Sequence, residues 1–193
     1  MTYKSLEISY DFPFFLDEEL QELFSAHSKK TFSKGDFMLS EGEIASEYYI
    51  LEKGVARSFV YDFDGNEVTT NFFVDNEIVI EVLSMFQRIP TQENIVCVTD
   101  CECWVMDYDT FQELFHKLPN LSEWGRAWMS QELFNYKQRS VEMFRLSATK
   151  RYLNLIQQKP QVIREAPLKQ IASYLGVTDT SLSRIRKELV SHK

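Results

Sequence analysis

Apolar residues recur first at helical and then at strand spacing along the chain. Four of them near the N-terminus are three or four residues apart, namely Leu16, Leu20, Leu23 and Phe24. This spacing predicts a lead-in helix from Phe12 to about Lys30. Farther along, alternate positions carry large side chains: Tyr48 and Ile50, and then Val55, Arg57, Phe59 and Tyr61. Such alternation is typical of β-strands.

Short segments that contain glycine interrupt the strand pattern at regular intervals. They are Lys34-Gly35-Asp36, Glu41-Gly42-Glu43, Lys53-Gly54 and Asp64-Gly65-Asn66. Many short strands separated by such turns predict a sandwich or a barrel. The Asp64-Gly65 pair indicates a tight hairpin, because glycine tolerates the positive φ that this turn needs. A second group of strand-like residues, from Ile95 to Met106, ends the β region.

Helical spacing returns after the β region. Asp109 to Leu118 predicts a short helix that Pro119 closes, and residues 121–146 predict a much longer one. A helix of about 26 residues would extend about 39 Å at a rise of about 1.5 Å per residue. Ser147 is a candidate N-cap for a further helix over residues 148–157, which Lys159-Pro160 would end.

The long helix admits two interpretations. Its larger apolar residues lie roughly on one side: Trp124, Trp128, Leu133, Tyr136, Val141 and Phe144. That side can pack on the β region of the same chain, or it can form the seam of a dimer. We favour a dimer helix with Trp124, Trp128, Leu133 and Tyr136 in the seam, because the helix exceeds the usual length within one domain.

Charge is unevenly distributed along the chain. The net charge is -8, but residues 147–193 carry nine Lys and Arg against three Asp and Glu, which is +6. Residues 1–146 carry twelve against 26, which is -14. A basic C-terminal segment beside an acidic body is expected to attract phosphates. We place a domain boundary where the sign changes, near residue 146.

The segment from Leu168 to Lys193 has the pattern of a helix-turn-helix. Ala172 is small where two helices nearly touch, and Gly176 follows four residues later, where a sharp turn needs left-handed backbone. Thr178 can cap the second helix through its hydroxyl. Five apolar residues supply a buried face: Ile171, Leu175, Val177, Leu182 and Ile185. An ordinary helical hairpin with a solvated basic face is the alternative.

If Leu182 and Ile185 face inward, the polar side chains of the second helix point outward. In helix-turn-helix proteins the N-terminal part of this helix enters the major groove. Arg184 is expected to contact guanine through both ends of its guanidinium, while Lys169 and Lys187 contact the phosphate backbone. The full set of predicted DNA contacts is Lys169, Thr178, Asp179, Thr180, Ser181, Ser183, Arg184 and Lys187.

Composition and cysteine content favour a soluble, cytoplasmic chain. Hydrophobic residues at 44% and charged residues at 26% are typical of globular proteins and exclude a disordered or fibrous one. No segment is apolar enough to cross a membrane or to serve as a signal peptide. Cys97, Cys101 and Cys103 are odd in number and lie within a strand-like stretch, which argues against a disulfide framework.

A metal site is a weaker interpretation of the cysteines than simple burial. Such a site usually takes four ligands, and none of the three histidines, His27, His116 and His192, is close in sequence. We therefore predict buried thiols, no bound metal and no cofactor.

A β-rich domain, a long helix and a C-terminal helix-turn-helix, in that order, resemble the Crp/Fnr superfamily of bacterial transcription regulators. The glycine-containing turns, with Tyr49-Ile50 and Glu67, look like those of its cyclic-nucleotide-binding β-roll, and Ser181-Leu182-Ser183-Arg184-Ile185 resembles its recognition helix. The resemblance covers nearly the whole chain. It implies a homodimer that binds a twofold symmetric site on double-stranded DNA, with RNA polymerase as a further candidate partner.

The sequence departs from the family at the residues that hold cyclic AMP. In members that bind it, a Gly-Glu pair opens a short helix and contacts the ribose, and an arginine about ten residues later holds the phosphate. The pair here is Asn76-Glu77, and residues 90–94 contain no arginine. A cyclic phosphate would lose its strongest contact, so we predict no response to cyclic AMP. The candidate pocket for an unknown effector, or for none, is Glu77, Arg88, Thr91 and Gln92.

The sequence does not support the iron–sulfur or haem sensors that other members of the family carry. Iron–sulfur members need four cysteines, and haem members need axial ligands that this sequence does not identify. Only residues 190–193 follow the predicted recognition helix, so either the helix-turn-helix is of a type without the β-wing that many members carry there, or the sequence is truncated before the wing.

The resulting prediction is an α+β protein in three parts. Residues 1–119 form a sensor domain with a double-stranded β-helix, or jelly-roll-like β-roll; residues 120–146 form the connecting and dimerisation helix; residues 147–193 form an all-α helix-turn-helix domain. The predicted function is DNA-binding transcription regulation. A small-molecule-binding β-barrel with a helical tail that does not bind DNA is the alternative. An enzyme is disfavoured, because Glu77, Glu81 and Glu93 lack a nucleophile–base pair or a metal-ligand cluster nearby.

Overall fold

The computed structural model describes residues 3–191 and begins with two short helices, α1 (Lys4–Ser9) and α2 (Asp17–Ser25). The prediction of one helix from Phe12 to Lys30 is wrong at both ends. At its start, the Glu19 carboxylate accepts a hydrogen bond from the Leu16 backbone N–H at 3.0 Å and thereby caps α2. At its end, residues 28–32 form a strand, because pairing with a distant strand overrides the helical spacing.

Two four-stranded antiparallel sheets form the β-roll, as predicted. The strands are β1 (Ser28–Phe32), β2 (Phe37–Leu39), β3 (Glu47–Lys53), β4 (Ala56–Tyr61), β5 (Glu67–Phe73), β6 (Ile78–Val79), β7 (Asn94–Cys97) and β8 (Cys101–Asp107). One sheet has the order β1-β8-β3-β6 and the other β2-β7-β4-β5. The sheets stay separate, so the fold is a β-roll and not a closed barrel.

The hairpin predicted at Asp64-Gly65 joins β4 to β5. The Asp62 N–H donates to the Asn66 carbonyl oxygen at 2.9 Å, and Gly65 has a φ of 79°. An L-residue with a side chain rarely adopts this conformation, which explains the glycine. β5 is the edge strand of its sheet. This edge contacts helix α8, one of the C-terminal helices described below.

The main core lies between the sheets and extends beneath the helices that flank them. These helices are α1, α2, α4 (Tyr108–Lys117) and the first turns of α5 (Pro119–Arg145); a short helix α3 (Val82–Gln87) also lies beside the sheets. Fully buried members of the core include Leu6, Leu23, Ile50, Leu51, Met85 and Leu121. The β-roll and the start of α5 therefore share one core.

Within this core, His27 lies in an aromatic cluster and is uncharged. Its Nδ1 donates to the Leu23 carbonyl oxygen at 2.8 Å, so its Nε2 accepts from the Tyr10 hydroxyl at 3.1 Å. Burial lowers the pKa of His27 to about 4, although the bond to Leu23 opposes the shift. The histidine is therefore neutral in the folded protein at pH 7.

We expect His27 to make the protein less stable as the pH falls. The unfolded chain binds a proton near pH 6.5, whereas the folded chain does so only near its pKa of about 4. The stabilising contribution is therefore full above pH 6.5 and is lost as the pH falls toward 4, by roughly 2–3 kcal/mol. Urea unfolding at pH 7 and pH 4.5 should show a smaller loss for His27→Gln than for the parent. Equal losses would contradict this assignment.

Four helices follow the 27-residue helix α5. They are α6 (Ala148–Gln158), α7 (Pro160–Glu165), α8 (Leu168–Tyr174) and α9 (Asp179–Ser191). The Ser147 hydroxyl accepts from the Lys150 N–H at 3.2 Å, which confirms it as the N-cap of α6. Helix α7 was not predicted: Pro160 ends α6 and also begins α7, at a position where a missing N–H costs nothing. No helix of residues 3–191 is long and apolar enough to cross a membrane.

Candidate nucleic-acid interface and effector site

Helices α8 and α9 pack as the sequence predicts for a helix-turn-helix. Ala172 and Leu182 are buried between them, and Gly176 in the turn has a φ of 65°. A Cβ on Gly176 would also approach the Met143 methyl group to 2.6 Å. The left-handed backbone is what favours glycine here, because the Met143 methyl group ends a flexible side chain that can move aside.

The start of α9 is capped by a hydroxyl. Thr178 Oγ1 accepts from the Ser181 N–H at 3.2 Å and lies 2.9 Å from the hydroxyl oxygens of both Thr180 and Ser181. This confirms the predicted cap and places three short polar side chains together at the N-terminal end of α9.

The polar face of α9 points to solvent. Leu182 and Ile185 are buried, whereas Thr180, Arg184 and Lys187 are exposed on the opposite side. The other predicted contacts are exposed at Lys169, Thr178 and Asp179 and half-buried at Ser181 and Ser183. Two further exposed charges on α9, Arg186 and Glu188, were not among the predicted contacts.

The C-terminal helices rest on the β-roll through a second apolar cluster. Its β-roll members are Val55, Phe72, Val74 and Val98, and its helical members include Tyr152, Leu155, Val162, Ile171 and Leu182. Helix α8 packs along the edge strand β5, where the Phe72 and Tyr174 rings are 5.2 Å apart. This cluster is both the core of the helix-turn-helix and its contact with the β-roll.

Polar contacts surround this cluster. Ser173 Oγ bonds with the Thr69 hydroxyl at 3.0 Å, and Lys159 Nζ forms an ion pair with the Glu77 carboxylate at 2.7 Å. The Arg151 guanidinium donates to the Leu175 carbonyl oxygen at 2.7 Å, which ties α6 to the end of α8. The helix-turn-helix is thus held on the β-roll in a defined orientation.

The four residues predicted as an effector pocket do not line one cavity. Glu77 pairs with Lys159, and Gln92 is exposed. The Thr91 hydroxyl is buried and accepts from the Glu93 N–H at 3.0 Å. The Arg88 guanidinium donates to the Ala45 carbonyl oxygen at 2.6 Å and lies 4.3 Å from the centre of the Tyr108 ring. Glu77, Thr91 and Arg88 are each held by a different partner, so the four side chains are not directed at a common ligand.

The glutamate that opens the short helix α3 is Glu81, not Glu77. Its carboxylate caps the helix by accepting from the N–H groups of Leu83 at 3.2 Å and Ser84 at 2.6 Å. The residue pair at the opening is therefore Ile80-Glu81, and a large aliphatic side chain stands where the family pattern has glycine. The prediction from the sequence chose Glu77, which is four residues too early, because the short strand β6 lies between Glu77 and α3.

Two spaces adjoin this region. A cavity of about 610 Å³ between the sheets is lined by residues such as Leu39, Tyr49, Glu81 and Ile95. A cleft of about 480 Å³ between the β-roll, α5 and α6 is lined by residues such as Asn71, Glu77, Tyr136, Arg139 and Lys159.

Glu93 is half-buried and has a raised pKa. Burial raises the pKa of its carboxyl, and hydrogen bonds from Thr70 and Ser58 partly oppose this. Glu81 raises the pKa of Glu93 further, whereas the positive charge of Arg139 lowers it. Two carboxylates with one arginine from α5 are a poor match for a cyclic phosphate.

The three cysteines are free and buried, as predicted. Burial raises the pKa of Cys103 to about 12, so its thiol is protonated at neutral pH. In the part of the chain that the structure describes, no three His, Cys, Asp or Glu residues are grouped to hold a metal ion. His192 lies outside the described residues.

Helix α5 divides into a buried first part and an exposed second part. Trp124 is buried, donates to the Ser9 carbonyl oxygen at 3.2 Å and stacks on Trp128 at 6.2 Å between ring centres. By contrast, Leu133 is 70% exposed, Tyr136 59% and Phe144 89%. Trp124 therefore packs in the core of its own chain and not in a dimer seam, whereas Leu133, Tyr136 and Phe144 are not covered by other residues of the range 3–191.

Comparison with known proteins agrees with this architecture. A family model of the cyclic nucleotide-binding domain matches residues 29–117, which run from β1 to the end of α4. The fumarate and nitrate reduction regulatory protein of Yersinia pestis is 25% identical over 187 residues, which cover 90% of this chain and 74% of that protein. The anaerobic regulatory protein of Haemophilus influenzae is 23% identical, with 90% and 72% covered.

A solved structure has the same fold over most of its length. The structure of FixK2 from Bradyrhizobium japonicum has a TM-score of 0.75 at 16% identity and covers 86% of this chain and 85% of that one. The two curated relatives of this chain, which are similar to it over 90% of its length, are regulatory proteins. Residues 29–117 match the cyclic nucleotide-binding domain, and the full-length comparisons support the resemblance of the chain to transcription regulators of the Crp/Fnr superfamily.

Proposed function

We propose that this regulator binds double-stranded DNA through the exposed face of α9. The observation that supports this most directly is the arrangement of Thr180, Arg184 and Lys187 on the solvent side of a helix whose opposite side is buried. No salt bridge within residues 3–191 engages Arg184 or Lys187. Their charges are therefore available to phosphates and base edges.

Charge distribution supports the same surface. The segment that contains α6 to α9 carries +6, whereas the preceding residues carry -14. The acidic body repels DNA, so the basic helices are the surface that DNA is expected to approach. This division supports a sensor domain in residues 1–119, a connecting helix in residues 120–146 and a DNA-binding domain in residues 147–193.

We further propose a homodimer joined by the second part of α5. Leu133, Tyr136 and Phe144 are largely exposed on one chain, and association of two α5 helices would bury them. A twofold dimer places two α9 helices about 34 Å apart, so that they enter successive major grooves on one side of the duplex. The DNA site is then twofold symmetric.

Selection of bound duplexes from a random pool tests this function. We expect a symmetric consensus whose half-sites are about 10 base pairs apart. A single asymmetric half-site would exclude the dimer, and the absence of any enriched sequence would exclude specific DNA binding. That last outcome would favour a sensor protein whose helical tail does not bind DNA.

Cyclic AMP is not the proposed effector. Residues 90–94 offer no cation, Arg88 is held by Ala45 and Tyr108, and Glu81 and Glu93 are both carboxylates. A ligand at 100 times its Kd would stabilise the folded state by about 2.7 kcal/mol and raise Tm by several degrees. We expect 1 mM cyclic AMP to shift Tm by less than about 1 °C on that scale. A shift of several degrees would overturn this expectation.

The remaining proposals follow from DNA binding. The protein would act in the cytoplasm, on DNA that RNA polymerase transcribes, and contact with RNA polymerase would decide whether it activates transcription. No catalytic residue is proposed.

A further inference from the structure

Arg139 lies where the β-roll, the long helix and the helix-turn-helix meet. From α5, its guanidinium donates to the Thr70 carbonyl oxygen of β5 and, at 3.4 Å, to the Tyr174 carbonyl oxygen of α8. The guanidinium carbon is also 3.9 Å from the centre of the Tyr174 ring. One side chain therefore holds the edge strand and the first helix of the helix-turn-helix together.

Thr70 also contacts the neighbouring strand. Its hydroxyl lies 2.7 Å from that of Ser58 on β4. Polar contacts thus lead from Ser58 of β4, through Thr70 of β5 and Arg139 of α5, to Tyr174 of α8.

Arg139 differs from the neighbouring contacts in the number of elements that it joins. Phe72 and Tyr174 pack by their rings, and Ser173 bonds to Thr69, but both contacts join only β5 and α8. Arg139 adds α5, the helix on which the proposed dimer depends. A planar guanidinium can donate in two directions and stack on an aromatic ring at once, which a lysine cannot do.

We propose that Arg139 is a positioning residue that fixes the orientation of the helix-turn-helix on the β-roll and on the long helix α5. The proposal rests on the proposed function, because it assigns α8 and α9 to the DNA-binding part. Without the Arg139 contacts, the two DNA-binding helices of a dimer would lose their fixed spacing.

Hydrogen exchange of the full chain tests the positioning role without DNA. In Arg139→Ala, we expect amides of residues 168–174 to exchange about tenfold faster, because a charge-assisted contact is lost. Arg139→Lys should give a smaller increase. Lys137→Ala, which removes an exposed charge from the same helix, is the matched control and should change nothing. Unchanged exchange at α8 in Arg139→Ala would overturn the proposal.

Exchange in β3 shows whether a variant has simply unfolded, since this strand lies in the other sheet. We expect its amides to behave as in the parent. If exchange in Arg139→Ala is faster by the same factor in β3 and α8, that variant is unfolded and Arg139→Lys is measured instead. We expect Arg139→Lys to exchange faster at α8 and not at β3. Equal acceleration of β3 and α8 in Arg139→Lys would overturn the proposal.

Measurements of DNA binding distinguish a positioning role of Arg139 from a direct role in DNA contact. Arg139→Ala should weaken binding to a symmetric site about tenfold yet leave binding to a single half-site unchanged, since only relative orientation is lost. Loss of half-site binding as well would indicate damage to α9 and contradict a positioning role. The hydrogen-exchange experiment does not involve DNA. Its result therefore tests the role of Arg139 even if the protein does not bind DNA.

Discussion

Replacing Leu182 with alanine is expected to unfold the helix-turn-helix while the β-roll stays folded. Leu182 is 0% exposed and lies between α8 and α9, against Ile171 and Leu175. A Leu→Ala change at such a site costs about 2–5 kcal/mol, from lost burial and from the cavity left behind. The cluster is small, so this is a large share of what stabilises the C-terminal helices.

Spectroscopy can separate the two parts of the molecule. All three tryptophans, Trp104, Trp124 and Trp128, precede residue 147, so their fluorescence reports on the β-roll and α5. In Leu182→Ala we expect a loss of helical circular dichroism well below the fluorescence transition. Val190→Ala is the control, because Val190 is 76% exposed on the same helix and should cost less than about 0.5 kcal/mol. A single unshifted transition in Leu182→Ala would contradict this account.

Replacing Arg184 with alanine is expected to abolish most sequence-specific DNA binding without changing stability. A bidentate arginine–guanine contact contributes about 1–3 kcal/mol, and a dimer would lose two of them, so affinity should fall about 100-fold or more. The side chain is exposed, so its removal leaves no cavity.

Fluorescence anisotropy with the selected duplex and a scrambled one would measure this effect at fixed ionic strength. The parent should prefer the selected duplex, and Arg184→Ala should bind both almost equally. Arg164→Ala, an exposed arginine of α7 outside α9, is the control. If Arg184→Ala weakens both duplexes by the same factor, Arg184 contacts phosphate and does not read a base.

The helix-turn-helix was the most predictable part of the molecule because its requirements are local. Ala172, Gly176 and Thr178 lie within a few residues of one another, and each is required by a contact or dihedral angle of the same turn. The glycine-marked hairpin at Gly65 was predictable for the same reason. Such features depend on backbone sterics and short hydrogen bonds that neighbouring residues make.

The candidate effector pocket was not predictable in the same way. Glu77 pairs with Lys159, which is 82 residues away, and it is Glu81 that caps α3. Similarly, Ser28 to Phe32 continue a helical pattern in sequence but pair with β8 in the fold. In each case a partner from a distant part of the chain outweighs the local pattern.

By itself, the sequence determined the β-roll, the long helix and the helix-turn-helix, together with the exposed polar face of α9. These follow from apolar periodicity, turn glycines and the separation of charge, which act over short stretches of chain. Only the tertiary structure decided that Trp124 is buried, that Glu81 opens α3 and that Arg139 joins Thr70 to Tyr174. The physical reason is that burial and ion pairing depend on which distant side chains the fold brings together. The spacing of residues along the chain does not specify these pairs.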